Sequence, residues 1–306
     1  MRIKVIFFCL IFVFFFSLII QADETNNWTY SIQDQIADDY GPGTYQYPTS
    51  KIFSTQKGLF DLQQFTVKEL NENYILKFKF GNLTDPWESK FGFSLPLIEL
   101  YIDNQKGGAK ELFQKGANVK LDPEHSWNKL FKLSGWWLRV YNPTDKAKLE
   151  MGFNEDVEET PWEIKDCKVK VDNDNNTISV ELKKQILGPL KGSHIFVLVG
   201  SFDPFGQDHF RSVSQEPSSW NFSDTEHDNL KYAPRVIDTI FPGDTEQKKA
   251  LAKFEEDYPV LEPITLRSTS DRNRLFILKG RYLFLLILLA GLAIVLNRKN
   301  IFSNNR

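Results

Sequence analysis

Residues 34–48 read Asp-Gln-Ile-Ala-Asp-Asp-Tyr-Gly-Pro-Gly-Thr-Tyr-Gln-Tyr-Pro, placing Asp34, Asp38 and Asp39 just ahead of a Gly41-Pro42-Gly43 turn. Calcium, a hard cation, takes about six to eight oxygens, many from aspartates and from carbonyls in glycine-containing turns. These three acids are therefore candidate calcium ligands, although an acidic turn holding no ion would have the same spacing. The second group with chemistry in it is aromatic. The seven tryptophans are Trp28, Trp87, Trp127, Trp136, Trp137, Trp162 and Trp220. The flat face of an indole carries negative charge density that meets the axial C–H groups of a sugar ring, while carboxylates and amides take the hydroxyls. Adjacent residues of a strand face opposite sides, so one of Trp136 and Trp137 is expected in the core and the other outside. Trp127, Trp136, Trp137 and Trp220 are the candidate sugar-binding platform; for any single tryptophan, burial in a core is the competing reading.

Signatures of catalysis are missing. The chain has no Gly-x-Ser-x-Gly elbow, no His-Glu-x-x-His and no phosphate-binding glycine loop. Its four histidines, His125, His194, His209 and His227, have no metal-ligand spacing along the sequence. Glycosidases need two carboxylates at a set separation, which a chain with 40 Asp and Glu neither excludes nor favours. A non-catalytic role is expected.

The two ends read as targeting segments. Arg2 and Lys4 precede an apolar run from Val5 to Ile20 broken only by Ser17, and Ala22 offers a small residue for cleavage. This is the secretory pattern, with an uncleaved anchor as the other reading. Leu275–Leu296 is apolar apart from Lys279 and Arg281, and Arg298 and Lys299 follow. Its clean part, Tyr282–Leu296, spans only about 22 Å as a helix, so the membrane crossing of about 30 Å requires those two cations to reach back to the interface. The expected organisation is a signal peptide at 1–22, a folded domain at 23–263, a stalk at 264–274, a transmembrane helix at 275–297 and a cytoplasmic tail at 298–306. Removing Arg2, Lys4 and the seven cations after Asp271 leaves 28 Lys and Arg against 40 Asp and Glu, a net charge of −12 where the whole chain has −3. That balance argues against nucleic acid as a partner. Only Cys167 would remain after cleavage, so no disulfide within the chain is available to hold the domain together.

Between the ends the hydrophobic period is two. Tyr74, Leu76, Phe78 and Phe80 share one face; Ile98, Leu100 and Ile102 share another, with Glu99, Tyr101 and Asp103 opposite. Cys167–Val171 and Thr177–Leu182 flank the polar run 172–176 as a hairpin. His194–Gly200 is a near-continuous apolar run, as in a strand buried on both faces. Helix is expected over 244–254, with Asp244 as N-cap, and as one turn near Lys183–Leu187. Strands at short spacing punctuated by Gly, Pro and Asn predict an all-β fold, an antiparallel sandwich or barrel with one short C-terminal helix.

The stretch Asp38–Thr49, with Gly58-Leu-Phe-Asp-Leu-Gln-Gln-Phe-Thr-Val67, resembles the C-terminal domain of bacterial glucodextranases, also found attached to pullulanase-type enzymes. Gly92-Phe-Ser, Tyr101-Ile-Asp103, Gly135-Trp-Trp137, Val199–Gly206 with Arg211, and Pro234–Ile240 with Gln247 follow in the same order. Gln35 and Ala37 stand where that family usually has Pro and Gly. The resemblance implies a DOMON-like β-sandwich of jelly-roll type that attaches to polysaccharide or to the cell envelope, and it strengthens the expectation of calcium. The family's domain normally rides on a glycosidase, and none is read in this chain, which leaves three expectations: a surface glycan receptor, a partner of a separate glycoside hydrolase, or an envelope-spacing protein. The function expected is a membrane-anchored carbohydrate-binding module for α-glucan or a cell-surface glycan. The alternative is a structural envelope protein contacting an S-layer or sheath.

Overall fold

The computed structural model describes residues 28–145, 163–241 and 246–267. The segments read as signal peptide and transmembrane helix lie outside the described residues. Among the described residues no helix is long and apolar enough to cross a membrane.

The strands in chain order are β1 (Thr29–Gln33), β2 (Leu62–Leu70), β3 (Asn73–Phe80), β4 (Pro96–Asp103), β5 (Lys120–Leu121), β6 (Lys129–Leu133) and β7 (Leu138–Tyr141), then β8 (Cys167–Asp172), β9 (Thr177–Lys183), β10 (His194–Ser201), β11 (Val213–Ser214), β12 (Phe222–Ser223), β13 (Val236–Thr239), β14 (Val260–Leu261) and β15 (Ile264–Thr265). One antiparallel sheet has the order β1-β2-β3-β9-β8; the other has β13-β10-β4-β6-β7, with β15 also paired to β10. Their facing sides meet as a sandwich core. Phe65, Val67, Leu76, Phe78, Ile178 and Val180 of the first sheet are buried with Ile98, Leu100, Phe131, Val197 and Val199 of the second. The Phe78 and Phe131 rings stack with centroids 6.1 Å apart. The period-two face of β3 is thus the core face, and the expected hairpin forms between β8 and β9.

The second sheet has a further covering layer, which the alternation in β4 did not predict. Its outer side, with Leu97, Tyr101, Leu130, Tyr141, Phe196 and Leu198, is buried under Ala117, Trp127, Phe210 and Leu251. Glu99, on the side opposite Ile98, Leu100 and Ile102, is 2 % exposed and ion-paired to the equally buried Lys132 at 2.8 Å. Apart from Leu251, which comes from a short helix, the covering chain is mostly irregular loop between β4 and β6 and after β10, where no periodicity advertised it.

The helix Gln247–Leu251 is shorter than the one expected, and its N-cap is Glu246; Asp244 lies outside the described residues. The one-turn helix Lys184–Leu187 is where the sequence put it. The domain also runs past 263. Ile264 and Thr265 pair with Ile195 and His194, and Ile264 and Leu266 are buried. Pro259 and Pro263 border the two-residue strands β14 and β15 at a sheet edge, where a missing N–H costs no ladder bond. The start of the expected stalk is therefore part of the sandwich.

Candidate functional site: an acidic centre and an aromatic cleft

The acidic centre sits where an edge of each sheet meets. Asp34 follows β1, its N–H donating to Gln63 O at 3.0 Å; Asp61 precedes β2; Asp238 lies in β13. The loop between β1 and β2 docks on β13 through Gly41 N–H to Ile237 O at 2.9 Å. Gly41 has φ 56°, and an added Cβ would fall 2.7 Å from the Tyr45 ring, so this docking needs glycine. Ala37 takes φ 64° while its N–H donates to Asp61 Oδ1 at 2.9 Å. That left-handed conformation is one that glycine adopts without strain and alanine does not. Gln247 locks the far side: its Nε2 donates to Asp38 O at 2.7 Å and its Oε1 accepts from Thr239 N–H at 2.6 Å.

Asp38, Asp61 and Asp238 each offer an oxygen within 4.8 Å of the others'. Asp34 joins them electrostatically. Burial, then repulsion from Asp38 and Asp61, pushes its carboxyl up to about 8. Burial, then Asp61, pushes Asp38 up to about 7. The fully buried Asp238 is raised well above the usual range by burial and then by Asp34 and Asp38. Asp34 Oδ2 and Asp38 Oδ1 are buried with no hydrogen-bond partner. Two like charges in one low-dielectric site cannot both ionise cheaply, and a bound cation reverses that logic by favouring every carboxylate around it. The donor set is all oxygen, with two buried oxygens left over, and it fits a hard divalent cation.

Asp39, placed among the calcium ligands by spacing, is held elsewhere. Its Oδ2 accepts from the Tyr47 hydroxyl and from Phe60 N–H at 3.2 Å, so its role in this geometry is to fix the loop. Asp61 and Asp238, which complete the cluster, were not picked out from the sequence. Each is an acid inside an apolar run, Leu59-Phe60-Asp61-Leu62 and Val236-Ile237-Asp238, and a buried Asp is rare without a partner. That was the available signal.

The aromatic cleft lies where the chain after β10 meets the turn between β6 and β7. Trp87, Trp136, Asp203, Pro204, Phe205, Arg211 and Trp220 line a recess of about 490 Å³, within the range of about 300–1,000 Å³ usual for small-ligand sites. Trp136 is stacked between Phe202, with centroids 4.7 Å apart, and Trp87 at 6.4 Å. Gly135 makes its turn possible, because a Cβ there would lie 1.8 Å from Phe93 O. Trp220 is 51 % exposed and Phe205 70 %. Trp220 is braced from behind: its ring edge meets Phe53 at 6.4 Å, and its carbonyl accepts from Arg211 Nη1 at 2.9 Å. Arg211 also donates to Phe202 O at 2.7 Å and Ser201 Oγ at 3.0 Å. Its Nη1 also lies 3.7 Å from Asp203 Oδ2, while Asp203 Oδ1 accepts from Phe205 N–H at 3.0 Å.

Of the four tryptophans expected to form a platform, Trp136 and Trp220 are brought together here. Trp127 and Trp137 are corrected to the core, at 1 % and 9 % exposure. Trp127 packs edge-on to Tyr101 with its Nε1 donating to Glu111 O, and Trp137 packs against Phe202 under the Arg139 guanidinium. Trp136 and Trp137 do differ in burial, but both lie in the turn between β6 and β7, so the strand alternation expected there is not what separates them. Trp87 and Phe205 were missed; both sit in loops, where no period signals exposure.

No curated protein matches the chain. Residues 29–266, nearly all of the described sandwich, match the family of the C-terminal, S-layer-homology-like binding module of glucodextranase, and the chain belongs to that family.

Proposed function

We propose that this chain is a carbohydrate-binding module that takes the rings of a glycan into the cleft of Trp87, Trp136, Phe205 and Trp220. The observation that carries this reading is the exposed Trp220, braced by Phe53 and Arg211, lining one recess with the exposed Phe205 and the Trp87–Trp136 stack. A stacked and backed aromatic loses little side-chain freedom on binding, so its apolar contact is not offset by ordering cost. Asp203 supplies a hydroxyl acceptor, and Arg211, the cation among the described lining residues, is bonded into the wall. The acidic centre holds calcium, with Asp34, Asp38, Asp61 and Asp238 as its carboxylates. The ion would neutralise their mutual repulsion and clip the two sheets together. The apolar segment 275–297 holds the module at the outer face of the membrane, where a separate hydrolase could share its polymer.

Affinity electrophoresis of the purified protein through gels containing starch, pullulan, dextran or envelope polysaccharide tests the reading. Retardation by one polymer, reduced roughly 30-fold in affinity by Trp220→Ala, is expected for a central aromatic contact. Retardation by none, or retardation that Trp220→Ala and Phe205→Ala leave unchanged, would sink it. A second reading, contact with an envelope protein rather than a free sugar, is favoured by the family's S-layer-homology likeness. It expects binding to isolated cell-envelope protein that free polysaccharide does not compete away.

A further inference from the structure

The start of β10 carries a group that neither the cleft nor the acidic centre uses. His194, first residue of β10, is the register partner of Asp103, last residue of β4. A third segment brings His125 onto this pair. The turn is closed by His125 N–H to Asp122 O at 3.0 Å, and Asn128 N–H, on the chain just after it, donates to Ile102 O at 2.7 Å. The His125 and His194 ring centroids are 4.4 Å apart, and His125 Nδ1 lies 3.1 Å from Asp103 Oδ2. One ligand atom from each of the three residues falls within 4.8 Å of the other two. Phe196 closes one side at 6.3 Å from the His125 ring. On the other side opens a polar recess of about 450 Å³ lined by Glu124, Ser126 and Ser193 among others.

We propose that Asp103, His125 and His194 form a metal site for a borderline divalent transition metal such as Zn²⁺. The donor set decides the class of ion. Two imidazoles and one carboxylate suit zinc, copper or nickel and are a poor match for calcium, which wants many oxygens. Donors around a tetrahedral ion at about 2.1 Å lie about 3.4 Å apart. Side-chain rotations of roughly an ångström close the present set to that spacing. Three protein ligands leave a fourth position open toward the recess, the arrangement of sites that accept water or an outside ligand. An Asp103–His125 ion pair alone would account for one contact. It does not account for a second imidazole arriving from a different strand with its ring against the first.

The test uses the untagged full-length chain in detergent with calcium in excess, so that the acidic centre is occupied. Titration with ZnCl₂ followed by calorimetry is expected to show one further equivalent bound. His125→Gln and His194→Ala are each expected to weaken it by roughly tenfold or more, since even indirect partners of a metal contribute that much. Co²⁺ in place of zinc is expected to give visible ligand-field bands that both variants lose. No added equivalent in the parent chain would overturn the proposal. So would zinc binding that survives both histidine substitutions, including binding lost instead on Asp238→Asn. Should His194→Ala fail to fold, His125→Gln, on a loop, decides the matter.

Discussion

Two parts of this molecule bury carboxylates, and they balance the charge differently. On the covered face of the second sheet, Glu99 meets Lys132 at 2.8 Å, both nearly inaccessible. Lys132 also donates to Asp208 O and lies 5.6 Å from the centre of the Phe210 ring. Burial pushes the Glu99 carboxyl up, and the lysine beside it pulls it back. At the acidic centre, Asp34, Asp38, Asp61 and Asp238 have backbone N–H and amide donors but make no ion pair among the described residues. In the first, a lysine of the chain itself stands against the carboxylate. The second has no such partner, and under the calcium proposal its stability depends on the medium in a way the first does not.

Lys132→Met should separate the two most sharply. It strands Glu99 without a partner and is expected to cost about 3–5 kcal/mol in urea unfolding, at any calcium concentration. The double change Lys132→Met with Glu99→Leu should recover most of that. A single variant no less stable than the parent would break the comparison. Next in size is calcium removal. At about one hundred times its dissociation constant an ion adds about 2.7 kcal/mol, so EDTA is expected to lower Tm by about 5–10 °C for a domain of this size. Lys132→Met should keep that shift, and Asp238→Asn should abolish it. In EDTA, Asp238→Asn is expected to match or exceed the parent, because it removes repulsion rather than a ligand.

The pH dependence comes next. Without metal, Asp34 and Asp38 have folded-state values raised to about 8 and about 7. The stability they lend is therefore fully present below the unfolded carboxylate range, near pH 4, and is lost as pH rises through 7 and 8. Melting in EDTA is expected to fall between pH 5 and 8, and saturating calcium should flatten or reverse that trend. A flat curve in EDTA would mean that the four carboxylates do not repel one another as their placement requires. The smallest effect is Ala37→Gly, which relieves a left-handed alanine and is expected to add about 0.5–1 kcal/mol by thermal denaturation. The gain should persist in EDTA, since it is a backbone effect.

The sandwich was legible because period two survives wherever one face of a strand meets the core, as in Tyr74–Phe80 and in the hairpin around 172–176. It failed at Glu99 and Tyr101 because what covers them is loop, and loops have no period. It failed again at Ile264 and Leu266, where two prolines masked the last edge strand. Half of the acidic centre could be read because Asp34 and Asp38 are neighbours in sequence. Asp61 and Asp238 reach it from distant segments, and only the sheet register brings those together. Asp39 shows the limit of spacing: one residue from Asp38, it is turned away to Tyr47. In the cleft, Trp136 and Trp220 stood out by residue type, while Trp87 and Phe205 depended on where two loops fold.

β10 runs from the chain's last described contacts to the mouth of the cleft. Thr265 pairs with His194 at one end, and Phe202, Asp203 and Phe205 follow Ser201 at the other. Its eight residues at about 3.3 Å each put roughly 25 Å between them. If the chain beyond Arg267 is held and a captured polymer is dragged, force enters at opposite ends of one strand. It then runs along β10 and across ladders whose hydrogen bonds lie perpendicular to the pull. Those bonds share the load in shear instead of opening one after another. The sheet works as a tension member, with its gripping end directed away from its mooring.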